Sequence, residues 1–232
     1  MIVAVLQARM SSSRLPGKVM KPILGVPMVG RQIERLHHAK SLDRLVLATS
    51  DQDDDTPLAD YVASLGVAVH RGSLNDVLDR FHGAALAHGA THVVRLTADC
   101  PLADWTVIDD CVALHLRTGA DCTSNGLVRS YPDGLDVEMV TFEALDAAWR
   151  EAEPGPDREH VTPFIYRHPE RFRLEHLVQE PNLELVRWTV DTPEDFVFVT
   201  EAYEALYPVN PAFTTADIHA WEAARVPTAS PE

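Results

Sequence analysis

The sequence predicts an α/β fold with a mainly parallel central sheet. Short apolar runs rich in β-branched residues alternate along the chain with longer segments whose apolar spacing is helical. Glycine and proline separate most of these segments, as expected where strands and helices meet. The 232 residues are enough to bury one large core. We therefore expect residues 1–225 to form a single domain and residues 226–232 to form a frayed tail.

The first half of the chain shows the alternation most clearly. Met1–Ala8 predicts a buried strand because it is apolar and β-branched, and a polar loop follows as far as Gly25. The next predicted elements are a helix from Pro27 through Leu36, a strand at Leu45–Ala48, a helix at Thr56–Leu65, a strand at Val67–Val69, a helix from Ser73 or Asn75 to about His88, a strand at His92–Leu96 and a helix at Asp104–Arg117. Gly66 and Gly89 are expected to end two of these helices.

The second half continues the pattern with less regular spacing. Its predicted elements are strands at Asp121–Ser124, Leu135–Val140 and Leu183–Val190, and helices at Phe142–Ala152, Arg158–Arg167, Pro193–Leu206 and Thr215–Ala224. In open parallel sheets, ligands bind beyond the carboxyl ends of the strands. Polar residues follow three such ends, at Gln7–Lys18, Thr97–Asp99 and Val190–Asp191. The sequence therefore predicts a ligand site at this edge.

Composition excludes several classes of protein. A net charge of −15 argues against non-specific nucleic-acid binding, which requires a basic surface. No uncharged apolar run reaches the roughly 18–20 residues of a membrane helix, and no basic stretch precedes the first apolar run as in a secretory signal. The three cysteines, Cys100, Cys111 and Cys122, form no CxxC pair. We therefore expect no disulfide framework and no zinc site. We also expect a cytoplasmic location, where cysteines remain reduced.

The first 33 residues form a locally basic segment of an otherwise acidic chain. Residues 1–33 contain five basic residues and no acidic one, which indicates either a site for a small, highly charged anion or a chance cluster on a solvated loop. Within this segment, the serines of Gln7–Lys18 and the side chains of Arg9, Arg14 and Lys18 suit a phosphate-binding loop. The loop lacks both GxxxxGK[ST] and GxGxxG, so neither a Walker loop nor a nicotinamide or flavin site is supported.

Two acidic residues stand at predicted strand ends. Asp99 and Asp191 could together hold Mg²⁺ against a polyphosphate, or each could cap the helix that follows. The proline at position 193 favours a capping role for Asp191, and the two roles are compatible. The acidic run at 51–55 resembles the opening of a calcium loop but lacks the required glycine and glutamate, so we interpret it as a solvated turn.

Four separated stretches resemble the sugar-acid cytidylyltransferases, enzymes that form CMP conjugates of 3-deoxy-octulosonate and sialic-type acids. The stretches are Gln7–Lys18, Asp76–Arg80, Arg95–Leu102 and Trp188–Asp195. Within that superfamily they look closest to the spore-coat polysaccharide biosynthesis protein F group, and the resemblance extends from residue 1 to about 225. It implies a three-layer, Rossmann-like fold of the nucleotide-diphospho-sugar transferase type. It also implies a cytoplasmic homodimer that uses CTP, Mg²⁺ and a sugar acid, with no nucleic-acid or membrane partner.

The resemblance also implies roles for particular residues. Nucleotide contacts are expected from Gln7, Ala8, Arg9, Ser13, Arg14, Lys18, Arg71, Ser73, Thr97, Ala98 and Asp99. Among these, Arg14, Lys18 and Asp99 are the expected catalytic residues, Asp99 and Asp191 the Mg²⁺ ligands, and Asp136, Glu138, Arg158 and His160 the acceptor contacts. A capping or packing role for Asp136 and Glu138 stays open. So do a sugar phosphate or phosphonate acceptor, a nucleotide-sugar-dependent glycosyltransferase and a non-catalytic nucleotide-binding module.

Overall fold

The computed structural model describes residues 1–225 and confirms the α/β fold. Its strands are β1 (Ile2–Gln7), β2 (Pro22–Ile23), β3 (Val26–Pro27), β4 (Arg44–Ser50), β5 (Ala68–Gly72), β6 (His92–Thr97), β7 (Cys122–Ser124), β8 (Glu138–Thr141) and β9 (Leu174–His176). Its helices are α1 (Met28–Leu36), α2 (Thr56–Ser64), α3 (Val77–Ala87), α4 (Trp105–Thr118), α5 (Phe142–Glu151), α6 (Pro156–His160), α7 (Pro163–Tyr166), α8 (Pro193–Leu206) and α9 (Thr215–Arg225). The predicted frayed tail lies outside the described residues.

The main sheet of the described residues has seven strands in the order β5-β4-β1-β6-β8-β7-β9. The strands β5, β4, β1 and β6 are parallel neighbours, β8 is antiparallel to both β6 and β7, and β9 is parallel to β7. Gln7 at the end of β1 is in register with Ala48 of β4 and Thr97 of β6. The carboxyl ends of the central strands are therefore level, and the loops that follow them leave the sheet at one edge.

Helices cover both faces of this sheet because the central strands are apolar on both sides. Val3 and Val5 of β1 face a core shared with α3, α5 and α7, whereas Ala4 and Leu6 face a core shared with α1, α2, α4, α8 and α9. The result is the three-layer arrangement that the resemblance implies. Among residues 1–225, none of the helices combines the length and the apolar character that a membrane crossing requires.

The prediction of a strand at Leu183–Val190 is wrong. This segment makes one isolated bridge, between Asp133 and Arg187, and the strand at the edge of the sheet, next to β7, is β9. Trp188 and Val190 are buried in the core while Leu185 is almost fully exposed. The apolar residues that suggested a strand therefore pack as an irregular segment across the core. This path still delivers Asp191 to the carboxyl edge, where the amide of Val190 donates to the carbonyl of Asp99 at 2.8 Å.

Two further elements are shorter than predicted. The helix expected at Arg158–Arg167 is divided into α6 and α7, because Val161 has a positive φ of 74°, which no right-handed helix can contain, and Pro163 begins the next turn. The strand expected at Leu135–Val140 is limited to β8, and the buried residues Leu135 and Val137 precede it as irregular chain.

Candidate active site

The loop after β1 folds back over the carboxyl edge of the sheet. The carbonyl of Met10 accepts hydrogen bonds from the amides of Ser12 and Gly17, both at 2.9 Å. Gly17 has φ of 69°, a conformation that glycine adopts without the steric cost of a side chain. The loop thus closes on itself immediately before Lys18, and its basic side chains are held close to the ends of β1 and β6.

Lys18 brings together the three strand-end segments that the sequence singled out. Its side chain is 10% exposed, and Nζ donates to the carbonyl of Val190 at 2.6 Å. The same atom lies 3.2 Å from Oδ1 of Asp191 and 3.4 Å from Oδ2 of Asp99. Burial by itself raises the pKa of Asp99, but the Lys18 ammonium and a hydrogen bond with Thr97 outweigh it and lower that pKa below its ordinary value. Asp99 is therefore a carboxylate at neutral pH.

Asp191 is surrounded by positive charge and does not cap a helix. Its carboxylate lies 3.0 Å from Arg14, 3.2 Å from Lys18 and 2.7 Å from Arg187. The cap of α8 is Thr192, which forms a capping box with Asp195. The expected capping role for Asp191 is therefore wrong, because the residue after it supplies the cap. Its carboxylate is left to bind cations at the edge of the sheet.

A cavity of about 490 Å³ opens over these residues. This volume lies in the usual range for small-molecule sites, about 300–1,000 Å³. Eleven of the expected site residues line this cavity: Gln7, Ala8, Arg9, Ser13, Arg14, Lys18, Thr97, Ala98, Asp99, His160 and Asp191. The rest of the lining consists of Ser12, Val19, Leu74, Asn75, Val77, Arg95 and Glu159. The lining thus combines serine hydroxyls and cationic side chains with the carboxylates of Asp99, Glu159 and Asp191, which suits a polyanion accompanied by a cation.

A second cavity of about 380 Å³ adjoins the first. The two share lining residues Arg95, Thr97, Asp99, His160 and Asp191, and the second adds Arg129, Asp133, Asp136, Glu138 and Tyr166, among others. Glu138 on β8 forms a salt bridge with Arg95 on β6 and accepts a hydrogen bond from Thr162 at 2.9 Å. Burial, followed by the charge of Asp136, raises the pKa of Asp133. Because Asp99 and Asp191 line both cavities, the two cavities can hold two reactants next to these carboxylates.

Three residues expected at the site do not line either cavity in the structure of residues 1–225. Arg71 donates to the carbonyls of Ser50 at 3.0 Å and Gln52 at 2.7 Å, and Arg158 binds Asp76 at 2.8 Å. Neither arginine lines the two cavities, and neither does Ser73. Their roles in binding nucleotide or acceptor stay predictions.

Sequence reasoning missed two charged residues that build the site. Asp55 is 2% exposed and accepts hydrogen bonds from the amide of Met10 at 2.6 Å and from the amide and hydroxyl of Ser50. The interpretation of residues 51–55 as a solvated turn is therefore wrong for Asp55, which fixes the loop after β1. Nothing in the acidic run marks its last member as buried. The sequence does contain a signal for Arg95, because this residue and Thr97 are two positions apart and therefore lie on the same face of a largely apolar strand.

A parallel sheet whose carboxyl edge carries a cation-rich loop and two convergent carboxylates is the arrangement of a nucleotidyltransferase. The chain belongs to the cytidylyltransferase family, whose sequence model matches residues 3–210. It is 34% identical to the spore coat polysaccharide biosynthesis protein SpsF of Bacillus subtilis, over 89% of this chain and 86% of that protein. It is 38% identical to the 3-deoxy-manno-octulosonate cytidylyltransferase of Syntrophobacter fumaroxidans, over 67% of this chain and 64% of that protein. Among solved structures, a cytidylyltransferase from Leptospira borgpetersenii superposes with a TM-score of 0.91 at 29% identity, over 96% of this chain and 94% of that chain.

Proposed function

We propose that the protein transfers CMP from CTP to a keto-deoxy or nonulosonic sugar acid, with release of pyrophosphate, in the synthesis of a surface polysaccharide. The observation that carries this proposal is the position of Lys18, which joins Asp99 and Asp191 at the floor of a polar cavity. Membership of the cytidylyltransferase family supports the nucleotide, and the names of the related proteins support the acceptor and the pathway.

In this reaction a hydroxyl of the acceptor, taken as the anomeric one, attacks the α-phosphate of CTP. A bond forms between that oxygen and phosphorus, the bond to the β-phosphate oxygen breaks, and the hydroxyl proton is released. Arg9, Arg14 and Lys18 lie where they can bind the phosphates and offset the charge that develops on them. Because the two cavities adjoin, much of the remaining acceleration comes from holding the two reactants in line. No protein nucleophile is required.

The residues present fit a Mg²⁺ ion. In this proposal Asp99 and Asp191 supply its oxygen ligands, which is supported by the contact that both carboxylates make with one cationic group, the Lys18 ammonium. Within the described residues, no group of three or more histidine, cysteine or acidic side chains forms a metal cluster. Mg²⁺ is usually bound by one or two carboxylates together with substrate phosphates and water, and Asp99 and Asp191 supply two. When bound, the ion would add positive charge at the phosphates.

The second cavity is proposed as the acceptor site. Asp136, Glu138 and His160 line it, in agreement with the residues that the resemblance implies. Arg158 acts on this site indirectly in the proposal, because it ties α6, the helix that carries His160, to Asp76 and to the carbonyl of Trp149.

A pyrophosphate-release assay tests the proposal. The protein is supplied with CTP and Mg²⁺ and a panel of 3-deoxy-octulosonic and nonulosonic acids, with ATP, GTP and UTP as parallel donors. Release that requires CTP and one of the acids supports both substrates. CTP binding without release with any acid would overturn the acceptor class, and absence of CTP binding would overturn the proposed function.

Assembly and location form a separate part of the proposal. We propose a homodimer in the cytoplasm, the latter consistent with three cysteines that are buried free thiols. Sedimentation equilibrium tests the dimer, and fractionation of the source cells tests the location.

A further inference from the structure

One buried arginine near the first cavity forms no salt bridge with any described residue and has no part in the proposed reaction. Arg80 belongs to the Asp76–Arg80 stretch and is 0% exposed. Its Nη1 donates to the carbonyls of Ser73 and Leu74, the latter at 3.0 Å. Within residues 1–225, its Nε and Nη2 have no hydrogen-bond partner, and burial lowers its pKa. Burying an arginine without a salt bridge is costly, so the contacts it makes are expected to serve a purpose.

These contacts orient two peptide units of the loop between β5 and α3. In a planar trans peptide the carbonyl and the amide of the same unit point in opposite directions. Because the carbonyls of Ser73 and Leu74 both point at Arg80, the amides of Leu74 and Asn75 point away from it. Leu74 and Asn75 line the first cavity and Arg80 lies beneath them in the core. The two successive amides therefore face the cavity.

Neither amide donates a hydrogen bond to any part of the chain that the structure describes. Leu74 is half-buried and Asn75 is exposed, so water can satisfy these amides in the cavity, and a ligand that displaces this water must supply acceptors in its place. Two adjacent amide donors match a ligand edge that presents two adjacent acceptors. Cytosine has such an edge at O2 and N3, whereas uracil carries a hydrogen on N3 and would place donor against donor.

We propose that Arg80 is a positioning residue for base selection, since it holds the Ser73 and Leu74 carbonyls so that the amides of Leu74 and Asn75 bind O2 and N3 of cytosine. This inference rests on the proposed use of CTP. It places base reading on the backbone of the loop. The Arg71 side chain, for which the resemblance implies a nucleotide contact, donates instead to the carbonyls of Ser50 and Gln52.

The test compares Arg80→Met and Arg80→Lys with the wild type, measuring KM and kcat with CTP and with UTP. Methionine keeps the length of the side chain but removes the donors, so the loop loses its fixed orientation. We expect Arg80→Met to lower the preference for CTP over UTP by at least about tenfold, mainly through KM, the scale of one lost hydrogen-bond discrimination. Arg80→Lys, which retains donors, should restore most of that preference.

Arg35→Met is the matched control. Arg35 is 2% exposed, donates through Nε to the carbonyl of Ala103 at 2.7 Å, and has two terminal nitrogens without a partner in the described structure. It lies on α1 and lines neither cavity. Its replacement should lower Tm and leave the CTP-to-UTP ratio unchanged. An equal change of the ratio in Arg35→Met, or an unchanged ratio in a folded Arg80→Met protein, would overturn the inference.

A second measurement covers the case in which Arg80→Met does not fold. The ¹⁵N-labelled wild-type protein is titrated with CTP and with UTP while the amide signals of Leu74 and Asn75 are followed by NMR. Downfield shifts of both amide protons with CTP, larger than with UTP, support the inference. Binding of CTP that leaves these two signals in place overturns the inference alone. Failure of the wild type to bind CTP overturns the proposed function and is detected before any variant is made.

Discussion

Replacing Lys18 by methionine should destabilise the protein in a pH-dependent manner. Lys18 makes the salt bridge of Asp99 at 3.4 Å, and no second cation lies within 4 Å of that carboxylate among residues 1–225. Asp191 keeps Arg14 and Arg187 when Lys18 is removed. The variant thus leaves one carboxylate, 31% exposed, without a counter-ion, and removes a donor from the carbonyl of Val190.

The magnitude follows from the burial of the pair. At an effective dielectric constant of about 20, unit charges about 4 Å apart attract by roughly 4 kcal/mol. Desolvation offsets part of this attraction, and removing one partner of a buried pair costs about 3–5 kcal/mol. Because Asp99 is partly exposed, we expect a loss of about 2–4 kcal/mol in the free energy of unfolding at pH 7.

The pH dependence gives the sharper test. In the wild type the pKa of Asp99 lies below its unfolded value of 3.8, so its carboxylate contributes stability above that pH and loses it as the pH falls further. Without Lys18 that pKa rises, the native state binds protons more readily, and the variant's stability falls relative to the wild type as the pH increases from about 4 to 7. The difference between the two proteins should therefore be large at pH 7 and small near pH 4.

Urea unfolding of both proteins at pH 4 and pH 7 measures this difference. Lys21→Met is the matched control, because Lys21 lies over the ring of Phe196 and forms no salt bridge with any described residue. It should change stability little and equally at both pH values. A Lys18→Met protein whose loss of stability is the same at pH 4 and pH 7 would refute the role of Lys18 in keeping Asp99 ionised.

Three further predictions concern the reaction, the backbone and the core. Asp99→Asn should lower the rate of pyrophosphate release by at least about 100-fold at saturating Mg²⁺, because the proposed metal ligand loses its charge. A near-normal rate would refute this role of Asp99. Gly134→Ala should lower the free energy of unfolding by about 2–5 kcal/mol, because φ is 111° and the new Cβ would lie 2.7 Å from the amide nitrogen of Thr189. Gly119→Ala, where φ is 65° and the space around the new Cβ is open, should lower it by only about 1–2 kcal/mol. Equal losses in urea unfolding would contradict the clash at Gly134. Burial, followed by the charge of His92, lowers the pKa of His115 from 6.5 to about 4, so its share of stability is complete above pH 6.5 and is lost as the pH falls to about 4. That share is about 3 kcal/mol, since the pKa is lowered by about 2.5 and each pKa unit corresponds to roughly 1.4 kcal/mol. His115→Asn should therefore flatten the urea-unfolding profile between these pH values, and an unchanged profile would assign the acid sensitivity to other groups.

The sequence predicted the parts of the protein that depend on local pattern. Apolar strands such as β1 and β6 are buried on both faces, so their composition alone identifies them. Lys18 and Asp99 were expected together because the loop that contains Lys18 follows β1 and Asp99 follows β6, whereas Asp191 was placed with them through a predicted strand that does not form. The prediction of a strand at Leu183–Val190 was wrong because Trp188 and Val190 pack into the core without forming a ladder of sheet hydrogen bonds. The interpretation of Asp55 as part of a solvated turn was wrong because its burial depends on the loop that contains Met10, 45 residues earlier in the chain.

The acidic partners of Lys18 also explain how an acidic protein can prepare a site for a polyanion. The positive charges of residues 1–33 do not stand alone, since Asp191 contacts both Arg14 and Lys18 and Asp99 contacts Lys18. These contacts hold two flexible cations in place before any ligand arrives, which reduces the reorganisation needed when phosphates bind. Replacing Asp191 by asparagine should therefore weaken nucleotide binding even when Mg²⁺ is absent, although it removes a negative charge that repels the phosphates. Calorimetry with CTP in EDTA measures this effect, and tighter binding by Asp191→Asn would show that repulsion outweighs positioning.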